Sequence, residues 1–200
     1  MKVLSHIARI LLGALLLVSV AHADDLFETT GALALGDPTQ QGRLSRNGVP
    51  TDWSGSVFPG VINPGVTYHY ETFAVNVGVT PFIQITMDSL SANTFASAYL
   101  GSYDATNLST NYLGDAGSSG NYFGTDPISF QVFVPTNDWL VIVINNTAGN
   151  NGGVGDPFHL IVQGYLDTEY TETPEPSSLL MVGSGVLGVA GLLRRKLNLG

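Results

Sequence analysis

Ile128-Ser129-Phe130-Gln131-Val132-Phe133-Val134 sets Ile128, Phe130, Val132 and Val134 on one face of an extended chain. That period of two belongs to a half-buried β-strand rather than a helix. Upstream, Val66-Thr67-Tyr68-His69-Tyr70-Glu71-Thr72-Phe73 repeats the alternation of large and polar residues. Trp139 to Ile144 and Phe158 to Val162 are nearly continuous apolar runs, suited to central strands covered on both faces. Phe82 to Met87 and Phe95 to Tyr103 complete the set. Asn63-Pro64-Gly65, Pro135-Thr136-Asn137-Asp138 and Asn150-Asn151-Gly152-Gly153 separate these runs with turn residues. No long amphipathic helix fits between Asp24 and Thr173. Roughly seven or more short strands with Gly and Asn turns predict an all-β fold, an antiparallel β-sandwich or jelly roll.

The 200 residues suffice for one domain with its own core once the two ends are set aside. Hydrophobic residues make up 44% and charged ones 12%, a balance that argues against disorder. The net charge of −9 is unevenly spread. Lys2 and Arg9 open the chain and Arg194, Arg195 and Lys196 close it, which leaves only Arg43 and Arg46 between them. Every acid falls between Asp24 and Glu175. An acidic middle without lysine excludes DNA or RNA as partner, because neutralising phosphates takes Lys and Arg. Cysteine is absent, so disulfides and thiol chemistry are excluded.

The ends read as addresses. Residues 1–23 form a signal peptide: Lys2 and Arg9 supply its positive start, and Ile10 to Val20 its apolar segment. Ala21 and Ala23 offer the small residues that a signal peptidase reads, leaving Asp24 as the mature start. Residues 24–170 then form the β-sandwich domain, and 171–176 a linker containing Pro174, Glu175 and Pro176. Ser177 to Leu193 carries no charge; as a helix it reaches ~26 Å, at the short end of what spans a membrane. The basic residues of 194–200 would stay on the cytoplasmic side.

The order Pro174-Glu175-Pro176, transmembrane helix 177–193 and Arg194-Arg195-Lys196 resembles the PEP-CTERM sorting signal of Gram-negative bacteria. The resemblance covers roughly the last 27 residues. It implies an exosortase that cuts near the Pro-Glu-Pro, with passage from the inner membrane to the cell surface or extracellular matrix. It also implies an association with exopolysaccharide and biofilm. A permanent C-terminal anchor without processing is the alternative. Gly183-Ser184-Gly185-Val186-Leu187-Gly188 matches GxGxxG, but too little chain follows for a dinucleotide-binding unit, and the pattern suits close helix packing.

Residues 50–167 resemble, less specifically, the pre-peptidase C-terminal type of bacterial β-sandwich. The similar features are the strand Tyr68–Phe73, the segment Tyr99-Leu100-Gly101-Ser102-Tyr103-Asp104, and a late hairpin pairing Asp138–Val143 with Phe158–Val162. The resemblance implies an accessory, adhesive module, in some cases one that binds calcium. The segment from Gly36 to Trp53 departs from that pattern and reads as an added N-terminal strand pair.

No catalytic constellation stands out, and the chain is not expected to be an enzyme. GxSxG and HExxH are absent, and His69 and His159 read as sheet-face histidines. Most acids sit beside Gly, Asn or Pro, where Asp serves turns. A secreted hydrolase with two convergent carboxylates remains the alternative of another class. The loop Gly101–Asp126 is the main candidate site, with Asp104, Asn107, Asp115 and Asp126 as oxygen ligands for calcium. No other cofactor is expected. Trp53, Tyr103 and Tyr112 are candidates to stack on sugar rings. Gly152-Gly153-Val154-Gly155-Asp156 falls one residue short of the calcium-binding GGxGxD repeat and reads as a turn. The leading expectation is a non-catalytic exported surface or matrix protein, and the second is a carbohydrate- or calcium-binding module.

Overall fold

The computed structural model describes residues 23–89, 91–120 and 127–166. The signal segment up to residue 22, the linker 171–176, the apolar stretch 177–193 and the tail 194–200 lie outside these residues. Among the described residues the period-two pattern works out as nine strands: β1 (Asp24–Ala32), β2 (Thr39–Leu44), β3 (Val61–Asn76), β4 (Phe82–Asp88), β5 (Thr94–Leu100), β6 (Tyr112–Asp115), β7 (Ile128–Phe133), β8 (Trp139–Asn146) and β9 (Pro157–Tyr165). They form a four-stranded sheet, β1-β9-β4-β7, and a five-stranded sheet, β2-β3-β8-β5-β6, with every pairing antiparallel. The fold is an all-β sandwich, as the alternation predicts.

Alternation also decides what fills the space between the sheets. Ile83, Ile85 and Met87 of β4, Phe130 and Val132 of β7, and Leu160 and Val162 of β9 are buried from one side. Leu140, Ile142 and Ile144 of β8 meet them from the other, with Ala96 and Ala98 of β5. Each fully buried Ile or Leu contributes about 1.5–3 kcal/mol by leaving water. β8 is covered on both faces, as its apolar run predicts, because Val141 and Val143 pack under tyrosines on the far side of the sheet. β9 is covered on one: Phe158, Leu160 and Val162 point inward while His159, Ile161 and Gln163 are only half-buried.

Three further sequence expectations change. Asn63-Pro64-Gly65 is not a boundary, since β3 runs through it. Gln41 faces Thr67 but Arg43 faces Ile62, so the extra residues form a bulge, with Asn63 at φ 53°. There the missing N–H of Pro64 breaks no ladder bond. The late hairpin does not form either, because β8 and β9 lie in opposite sheets. The loop between them crosses the sandwich, and Asn146 ties it down, Nδ2 donating to Ala148 O at 3.0 Å and Gly152 O at 3.1 Å. The resemblance to pre-peptidase modules loses that support. Finally, the segment from Gly36 to Trp53 is not a strand pair: it holds one strand, β2, which joins β3.

The loop from Ser45 to Gly60 closes one side of the sandwich, its ends joined by Ser45 N–H donating to Gly60 O at 2.9 Å. Gly48 N–H reaches Gly117 O at 2.9 Å, Thr51 N–H reaches Asp115 O at 3.0 Å, and Thr51 O accepts from Gln131 N–H at 2.8 Å. One segment thus occupies the edges of both β6 and β7, which would otherwise present open hydrogen-bonding groups.

Candidate functional site

The register of the four-stranded sheet sets its outward residues in rows across the strands. Phe82 stands between Phe133 of β7 and Tyr165 of β9. The next row is Gln131, Gln84, Gln163 and Asp25, and the one after it Ser129, Thr86, Ile161 and Glu28. Asp88, His159 and Thr30 end the face. Within the rows, Gln131 Nε2 donates to Gln84 Oε1 at 3.2 Å and Gln163 Nε2 to Asp25 Oδ1 at 3.0 Å. The hydroxyls of Thr86 and Ser129 are 2.8 Å apart.

Trp53 joins the aromatic row from the side. It follows Asp52 in a turn closed by Gly55 N–H on Asp52 O at 3.0 Å, while Ser54 N–H donates to Asp52 Oδ1 at 2.9 Å. The Ser54 hydroxyl and N–H hold the Asp52 carboxyl below the usual range. So placed, the Trp53 ring meets Phe82 and Tyr165 edge-on, with centroids 5.9 and 5.8 Å away, and its Nε1–H donates to Ile83 O at 3.3 Å. Phe82 and Phe133 are 5.4 Å apart, and Phe133 remains 49% exposed.

At the opposite end, His159 Nε2 lies 2.7 Å from Glu28 Oε1. An open cleft of ≈ 520 Å³, lined by Thr30, Asp88, Ser89, Phe158 and His159, continues the face there. The rows hold neither lysine nor arginine. Arg43 is buried in β2, donating to Thr147 O and Leu44 O, and Arg46 sits beside Ser119.

The five-stranded sheet treats its outer face differently. Tyr103 packs on Tyr70 and Tyr99, with centroids 5.1 and 4.8 Å away, and Tyr112 packs on Tyr99 and Phe58 at 6.0 and 5.3 Å. Burial pushes the phenols of Tyr99, Tyr103 and Tyr112 up. The Tyr103 hydroxyl donates to Gln40 Oε1 and that of Tyr112 to Asp115 Oδ2, the latter at 2.5 Å. Of the candidate stacking residues, Trp53 therefore belongs to the four-stranded sheet, while Tyr103 and Tyr112 form a second apolar layer over β8.

The calcium candidates are also set apart by their local bonds. Asp104 Oδ1 accepts from the Thr106 N–H at 2.8 Å and its hydroxyl at 2.7 Å, which together hold the carboxyl low. Asn107 Oδ1 accepts from the Ser109 N–H at 3.3 Å and hydroxyl at 2.8 Å. Both are turn caps. Asp115 is a strand residue, 3% exposed; Gly117 N–H reaches its Oδ1 at 2.7 Å, and burial raises its pKa despite that bond and the one from Tyr112. Asp126 lies outside the described residues. Among the described residues no three His, Asp or Glu side chains converge as a metal site. His69 is buried, its ring nitrogens 3.4 Å from Asp37 O and 3.3 Å from Asn151 Oδ1.

Sequence reasoning missed Phe82, Phe133, Tyr165 and the glutamines. Their alternation was present in each strand, but which strands are neighbours was not.

Of the sorting residues, Pro174, Glu175, Pro176, Arg194, Arg195 and Lys196 lie outside the described residues, as does Ala21; Ala23 directly precedes β1. Residues 172–196 match the family model of the PEP-CTERM protein-sorting motif. The chain carries a PEP-CTERM tail. Such a tail implies processing by an exosortase and directs a secreted protein toward the cell surface. No curated protein sequence matches the chain. Among solved structures it is similar to the enzymatically active domain of tailspike protein 4 from bacteriophage CBA120, at 13% identity over 74% of this chain with a TM-score of 0.31. It spans only 19% of that chain. It is also similar to CorA, a surface-associated copper-binding protein of Methylomicrobium album BG8, at 10% identity, 68% and 92% coverage and a TM-score of 0.32. The family 29 carbohydrate-binding module CBM29-2 is similar at 8% identity, 70% and 92% coverage and a TM-score of 0.26.

Proposed function

We propose that this chain is a non-catalytic protein of the cell surface or extracellular matrix, associated with exopolysaccharide or biofilm. The PEP-CTERM motif at residues 172–196 carries the reading. A signal peptidase releases Asp24, the membrane helix 177–193 holds the precursor in the inner membrane, and an exosortase cuts near Pro174–Pro176. The part delivered is then a nine-stranded sandwich. Four of its acids and histidines support a non-catalytic role through what they do: Asp52 and Asp104 cap turns, Asp115 anchors β6, and His69 joins two loops. No cofactor belongs to this reading.

Intact-mass measurement on protein from producing cells and from their matrix tests it. A species from Asp24 to near Pro174, recovered outside the inner membrane, is the expected result. A species running from Asp24 to Gly200, confined to the inner membrane, would replace it with a permanently anchored periplasmic protein.

A further inference from the structure

We propose that the outer face of the four-stranded sheet binds a neutral polysaccharide, laid across the strands along Gln131, Gln84 and Gln163. The proposal rests on the surface-protein reading and adds the ligand class. One face of an antiparallel sheet is ordinarily polar and solvated. This one also carries an aromatic row in which Phe133 is half exposed and Phe82 and Trp53 are half-buried, with Tyr165 buried beside Trp53 as their support. Aromatic rings give the apolar faces of sugar rings a surface to lie on. The next row presents amides from three adjacent strands, stepping at ~4.8 Å, about one sugar ring per strand. Each amide has two donors and an acceptor oxygen with two lone pairs. The bond from Gln131 to Gln84 and that from Gln163 to Asp25 fix their orientation and use only part of that capacity. Vicinal hydroxyls, which donate and accept, complement such a row. The Thr86 and Ser129 hydroxyls extend it.

Charge decides the class of polymer. Asp25, Glu28 and Asp88 stand on the face, and neither arginine of the described residues does. A uronic-acid or sulfated chain would meet carboxylates without a lysine or arginine to offset them. A neutral chain meets no such repulsion.

The test uses the full-length chain in detergent, electrophoresed through gels containing matrix polysaccharide from producing cells. That polysaccharide is first split by anion exchange into neutral and acidic fractions. The neutral fraction is expected to retard the protein. Gln84→Ala with Gln131→Ala, and separately Trp53→Ala, should weaken binding at least tenfold, while Thr72→Ala on the other sheet leaves it unchanged. The glutamine variants truncate half-buried side chains on the outer face, so an unaltered melting temperature confirms that they fold. Absence of retardation by the neutral fraction, equal retardation of the glutamine variants, or preference for the acidic fraction overturns the proposal. The mass and location of the exported species are read independently, so a surface protein that ignores neutral glycan remains distinguishable from a failure of sorting.

Discussion

At the scale of single residues, Asp115 and Tyr112 form the most consequential pair. Buried in β6, the Asp115 carboxyl titrates above its usual range, with burial as the main cause. Its stabilising contribution is therefore fully present below about pH 4 and is lost as pH rises through the raised value. Tyr112 opposes that loss by donating to the carboxylate at 2.5 Å. Tyr112→Phe is expected to cost about 1.5–3 kcal/mol at neutral pH, the range for a hydrogen bond to a charged group, and less in acid. Urea denaturation at pH 3.5 and pH 7 checks it; an equal deficit at both would mean that the hydroxyl does not serve the carboxylate. Comparing variant with parent matters, because Glu71, raised by burial and then by Asp37, adds a slope of the same sign, while Asp52 and Asp104, held low by their turn bonds, add the opposite one. Little of this was legible in the sequence. Asp115 sits among glycines and serines that look like a loop, and its burial depends on β5 and on Thr51, 64 positions upstream, whose Oγ1 accepts from its N–H.

Among the elements, the crossing segment around Thr51 is the one that joins the two sheets at their open side. Gly117 makes room for it: φ is +68°, and an added Cβ would lie 2.4 Å from the backbone carbon of Val49. Gly117→Ala combines left-handed strain with a backbone collision and should destabilise by more than about 1 kcal/mol. Faster hydrogen exchange at the Thr51 and Gln131 amides would show that the segment has lifted; a loss of stability without it would place the damage elsewhere. Strand identity was legible because side-chain alternation is local: β4, β7 and β8 begin where the pattern predicts. Strand adjacency was not. Phe158–Val162 looks like the natural partner of Trp139–Ile144, yet β8 and β9 lie in opposite sheets while β2 and β3 share one, and nothing local records the difference. The pattern of Asn and Gly did mark turns, with Asn137, Asn150 and Asn151 at positive φ, but at Asn63 the same chemistry builds a bulge.

For the whole molecule, the tail was the most legible part, because a sorting enzyme reads a linear motif whatever the fold beside it. Pro174→Ala with Glu175→Ala is expected to leave the protein in the inner membrane at its unprocessed mass, with the sandwich unaffected; normal release of this variant would show that the exosortase does not read these residues. The fold adds a consequence that concerns force. β9, the strand from which the tail departs, is hydrogen-bonded on both sides, to β1 from Asp24↔Gly164 and to β4 from Phe82↔Tyr165. Tension applied beyond Tyr165 along β9 loads both ladders in shear, so their bonds resist together instead of opening singly. The polysaccharide face lies on this same sheet. A pull between the C-terminal end of β9 and a gripped polymer would run through one sheet without crossing the core, as in a strap rather than a hinge.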